Sequence, residues 1–132
     1  LNRSRSILKK HLARRPQQDP VARFQTRFVA DVEQLKELGM AAFHSHAFAT
    51  VRQLGSAFEF GAAYMRWLAE HGDPEASEIV PHLQGISSDA KSLILKTARA
   101  VSTKRAIDFH PLLTSIDHHW NAAMDLLSLR YA

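Results

Sequence analysis

An all-α fold is predicted, an up-down four-helix bundle preceded by a basic helical arm, and three observations predict it. Apolar residues recur at helical spacing along most of the chain, while alternating strand patterns are nearly absent. Helix-start and helix-stop residues cut that pattern into segments joined by short connections, which favours antiparallel packing of sequential helices. The 132 residues make one domain, large enough to bury roughly two thirds of its unfolded surface in a single core.

The arm covers residues 1–18 and the bundle residues 19–132. Ser4 or Ser6 is the candidate cap of a short helix that runs through Arg14, carries Ile7, Leu8 and Leu12 on one side, and is ended by Pro16. Asp19-Pro20 is a strong start, an N-cap acceptor followed by a proline whose missing N–H costs nothing at N1. The helix over 20–38 places Phe24, Phe28, Val32 and Leu35 at helical spacing and stops at Gly39.

A hub helix is expected over 44–71. At about 100° per residue, Val51, Leu54, Phe58, Gly61, Met65 and Leu68 form one apolar stripe. Phe60, Tyr64, Trp67 and His71 form a second stripe, roughly 120° away, so two-sided packing is expected. A polar strip about 80° wide remains, carrying Arg52, Ser56, Glu59, Arg66 and Glu70. Asp73-Pro74 repeats the cap-plus-proline pattern and opens a segment over 74–104, where Pro81 and Gly85 predict a kink or break near 81–88. The last helix, over 111–130, is introduced by Asp108 and Pro111 and lined by Leu113, Ile116, Trp120, Ala123 and Leu127.

Composition narrows the function classes. The chain is 45% hydrophobic and 23% charged, ordinary for a soluble globular protein. No apolar run approaches the roughly 20 residues of a membrane span. The absence of cysteine excludes disulfides, thiolate metal sites and a cysteine nucleophile within these residues, and fits a reducing cytoplasm. Leu1 in place of Met suggests a piece of a longer polypeptide. The formal charge of +4 is unevenly spread: Arg3, Arg5, Lys9, Lys10, Arg14 and Arg15 lie in the first fifteen residues with no acid. The other 117 residues hold eleven cations against thirteen acids, so the bundle is nearly neutral.

Several constellations bear on chemistry. Eight histidines include His44-Ser-His46 and Asp117-His118-His119. Residues two apart on a helix point about 200° from each other, and adjacent ones about 100°, so neither pair can chelate one ion while helical. No metal or cofactor is expected, although His44 and His46 remain candidate binding residues. A phosphotransfer reading of Gly55-Ser56 fails because Arg52 or Val51 stands where the phosphoryl-accepting histidine would be and Leu54 replaces the lysine. The polar strip reads either as a solvated ion-pair ladder or as the border of a site in which Arg52, Glu59 and Arg66 meet a ligand or partner. Gln53 falls on the aromatic stripe, where a buried amide would need hydrogen-bond partners such as Tyr64. No nucleophile–base pair or facing carboxylates are found, so a free-standing catalyst is not expected.

The blocks HLARRP (His11–Pro16), FHSHAFATVRQLGSAFEFGAAYMRWLAEHG (Phe43–Gly72), AKSLILKTARAV (Ala90–Val101) and WNAAMDLLSLRY (Trp120–Tyr131) resemble the C-terminal helical half of an uncharacterised bacterial family encoded beside amino acid:carrier-protein ligases. The resemblance spans nearly the whole chain. Where that family carries glutamine and phenylalanine, this chain has Ile94 and Leu95. It implies an N-terminal half with a cysteine-centred, transferase-like site, to which these residues are the helical accessory. Together with the charge map, it implies an acidic acyl carrier protein docking on the arm, with Arg52 or Arg99 as a further contact. The alternatives are a structural or homo-oligomeric bundle using the aromatic stripe, and a nucleic-acid-binding domain using the arm. The last is disfavoured because the arm has no Phe, Tyr or Trp to stack on bases and no helix-turn-helix signature follows it.

Overall fold

The computed structural model describes residues 1–132 and is helical throughout, with no strand. Its helices are α1 (Asn2–Ala13), α2 (Pro20–Leu38), α3 (Met40–Ala49), α4 (Val51–Glu70), α5 (Val80–Thr103) and α6 (His110–Tyr131), with a 3-10 turn at Pro74–Glu78. No helix is long and apolar enough to cross a membrane.

Pairings between helices give an antiparallel bundle. Gly55 of α4 approaches Ala90 of α5 while Gly61 approaches Leu83, so residue numbers run in opposite directions. The same holds for α5 and α6, where Asp89 meets Ser115 and Gly85 meets His119. The α2 helix closes over α5 and α6, and α3 bridges it to α4. The main core joins Phe28, Val32, Ile86, Leu93, Ile116 and Trp120 at one end. A second cluster, with Met65, Leu68, Ile79, Leu83 and Leu127, fills the other.

The start of α2 is as expected: the Asp19 carboxylate accepts from the Val21 and Ala22 N–H groups at 2.8 and 3.4 Å. Such a cap contributes about 1 kcal/mol. The expected hub helix over 44–71 is instead two helices, broken at Thr50 (φ −122°, ψ −84°). The Thr50 hydroxyl donates to the His46 carbonyl at 2.7 Å, a local side-chain bond that competes with regular helix geometry. His44 and His46 therefore belong to α3 and leave the face of α4.

The kink or break expected near 81–88 does not occur. Pro81 falls in the first turn of α5, where its missing N–H has no helical partner to lose. Gly85 is accommodated without a break: a Cβ there would lie 2.5 Å from the His119 ring, so the glycine makes room for an imidazole. The residues before Pro81 form the 3-10 turn instead. Neither Ser4 nor Ser6 caps α1, which starts at Asn2 with no side-chain cap. Asp73 does not cap either. It is 1% exposed, and its carboxylate accepts from Arg5 Nε at 3.2 Å, from Tyr131 Oη at 2.7 Å and from Arg130.

Candidate functional site

The polar strip of α4 lines a real depression. Arg52, Ser56 and Glu59 face Lys91, Ile94 and Leu95 of α5 across a hollow of about 300 Å³ floored by Gly55 and Ala90. A second hollow of about 280 Å³ continues along the same two helices, bordered by Glu59, Arg66, Gln84, Ser87, Ser88 and Lys91. Gly55 allows this close approach: a Cβ there would already sit 3.3 Å from the Ala90 Cβ. The floor is thus set by small residues and the walls by long polar ones. Lys91 Nζ contacts Glu59 Oε2 at 3.3 Å, an exposed pair that contributes little to stability. Arg52 and Arg66 have no ion-pair partner, so the groove is net positive. Beneath it, Ser87 is 4% exposed and its Oγ has no hydrogen-bond partner.

Glu59 therefore borders both hollows, with Arg52 at the first and Arg66 at the second, and Lys91, Ser87 and Gln84 of α5 complete the site. Sequence reasoning missed these three because their spacing on α5 reads only as one flank of an amphipathic helix. Gln53 is not part of it. The residue is exposed, and its Nε2 donates to the Phe48 carbonyl at 3.4 Å across the α3–α4 corner, so no buried amide has to be satisfied. His44 is exposed, whereas His46 is half-buried with Nε2 3.2 Å from Asp31 Oδ2, tying α3 to α2. The second aromatic stripe of α4 is not packed on both sides as expected. Phe60 is 76% and Trp67 41% exposed, and only Tyr64 is covered, by Ser4 of α1 at 2.5 Å.

The arm lies against the bundle. Arg5 is spent on Asp73, while Arg15 donates to Ser128 Oγ at 3.3 Å and lies 5.5 Å from the centre of the Trp120 ring. Arg3, Lys9, Lys10 and Arg14 are exposed and have no ion-pair partner.

An apolar cavity of about 340 Å³ separates α2 from α4, walled by Phe24, Leu54, Phe58, Ile86, Ile116 and Trp120. On α5 and α6, His82 and His119 meet with Nδ1 atoms 3.3 Å apart. Burial, and then the neighbouring His119 and His118 imidazoles, hold His82 below its ordinary value of 6.5. The folded state thus binds this proton less readily than the unfolded chain. The stability His82 contributes is complete above about pH 6.5 and is lost as pH falls below it. Urea unfolding measured between about pH 7 and pH 5 should show that decline, and His82→Gln should flatten it. A decline of equal size in the variant would rule the pair out as its source. Asp117 is shifted upward by burial and by the hydrogen bond and charge of Asp19 beside it. No group of three or more acidic or histidine side chains is arranged to hold a metal ion.

No curated protein and no solved structure matches the chain. Residues 1–129 match the family model described as DUF1839 C-terminal domain. With nearly every residue covered, from the basic α1 through the groove helices to α6, the chain belongs to the DUF1839 C-terminal domain family.

Proposed function

We propose that this domain is a helical accessory that docks an acidic protein partner through α1, and that the partner is an acyl carrier protein served by an aminoacyl or acyl transferase. The observation that carries the reading is the placement of the charge. On α1, Arg3, Ile7 and Lys10 recur at i, i+4 and i+7, within about 60° of arc, and Arg14 follows at the C-cap. All four are exposed, Ile7 at 47%. The opposite side, with Ser4, Leu8 and Leu12, lies on the bundle, and Arg5 is held by Asp73. The seated helix thus presents a basic stripe around one apolar residue, a surface complementary to a helix rich in carboxylates. The transferase part of the reading is supported by the family resemblance.

The test is a titration of a labelled, cognate acyl carrier protein into the domain at low and high salt. Salt-weakened binding is expected, and replacing Arg3, Lys10 and Arg14 together by alanine should weaken it about tenfold, at roughly 0.5 kcal/mol per charge. Absence of binding at low salt would overturn the reading. The exposed Phe60 and Trp67 favour a second reading, self-association of the domain. Sedimentation of the domain alone separates the two, since docking through α1 requires only a monomer.

A further inference from the structure

The groove between α4 and α5 is a second surface, distinct from the α1 stripe. Tyr64, which meets α1, points about 160° around α4 from Arg66. Its two hollows differ in character. The one beside Gly55 is walled by Ile94 and Leu95 and suits an aliphatic group. The other is lined by Arg66, Lys91, Gln84, Ser87 and Ser88, against the single acid Glu59. Such a set offers more donors than a planar carboxylate can accept and matches the several oxygens of a phosphate group. The decisive atom is Ser87 Oγ, a buried hydroxyl with no partner in the protein. An unsatisfied group of this kind costs stability unless something outside the chain completes it.

We propose that this groove binds an amphiphilic phosphate monoester, with its phosphate held by Arg66, Lys91 and Ser87 and its aliphatic chain laid over Gly55 against Ile94 and Leu95. The closed Gly55–Ala90 approach keeps the floor shallow, so the tail lies along the helices instead of entering the core. Glu59 then gives up part of its contact with Lys91 when the phosphate arrives, and the ligand's negative charge replaces it.

Hexyl phosphate is the probe, with hexanol and inorganic phosphate as its two halves, followed by amide chemical shifts and calorimetry on the whole domain. Expected are shifts centred on Ser87 and Lys91, and tighter binding of hexyl phosphate than of either half. Ser87→Ala removes the unpartnered atom, so the fold should be kept, while binding weakens roughly tenfold through loss of one charge-assisted hydrogen bond. Arg66→Gln should weaken binding at least as much. Equal binding of hexanol would overturn the phosphate site, and equal binding of inorganic phosphate would overturn the apolar one. Unchanged affinity in both variants, or no binding of hexyl phosphate at millimolar concentration, would overturn the proposal. None of these outcomes bears on α1.

Discussion

Asp73→Ala is expected to destabilise the domain by about 3–5 kcal/mol, the range for removing one partner of a buried ion pair. Asp73 joins three parts of the chain that are remote in sequence: Arg5 of α1, its own turn after α4, and Arg130 with Tyr131 at the end of α6. Without the carboxylate, Arg130 is left against Glu75 alone, with its Nε already buried and unpartnered, and the Tyr131 hydroxyl loses its acceptor. The position also closes α4: Gly72 takes φ +107° and the Asp73 N–H returns to the Leu68 carbonyl at 3.0 Å. That backbone arrangement survives the substitution, so the loss reports the side chain. Denaturant unfolding monitored by circular dichroism measures it. A change below about 1 kcal/mol would mean that the cluster behaves as an exposed ion pair.

Phe28→Ala should cost a similar amount, about 3–5 kcal/mol for a buried phenylalanine truncated in a core. Phe28 is 1% exposed, and its ring meets Phe109 edge-on, with centroids 5.3 Å apart and planes at 87°. Phe24 stands 5.5 Å away on the same helix and walls the apolar cavity. The vacated space would be enclosed by the main core, with the Phe109 and Phe24 rings left facing it. The loss belongs at the upper end of the range. A double-mutant cycle with Phe109→Ala should show a coupling of about 0.5–1.5 kcal/mol. Additive losses would mean that the two rings pack independently.

The elements of the bundle were largely legible because their signals are local. Asp19-Pro20, Gly39 and the apolar period of α6 act through the residues beside them, and the structure follows them closely. Thr50 was not legible: apolar spacing continues through it, and the break comes from its own hydroxyl turning to the His46 carbonyl. Pro81 and Gly85 misled for the opposite reason. Proline breaks a helix only beyond its first turn, and Gly85 answers a side chain on α6 that lies far away in sequence. The groove was half legible. Its α4 wall, with Arg52, Ser56, Glu59 and Arg66, stands in one periodic strip, while Lys91 and Ser87 join it only through the antiparallel register of α4 and α5. Asp73 looked like a cap because nothing in its neighbourhood announces Arg5 or Arg130.

No residue of α1 is buried, although it carries the basic stripe and holds the bundle mainly through Arg5, Ser4 and a thin apolar edge. A helix attached so lightly opens at a lower free energy than α4 or α5, whose faces fill the core. Partner capture and attachment of α1 are then thermodynamically linked. A partner that recognises only the seated helix strengthens its hold on Asp73 by the same factor with which an intact Asp73 cluster strengthens the partner's hold on α1.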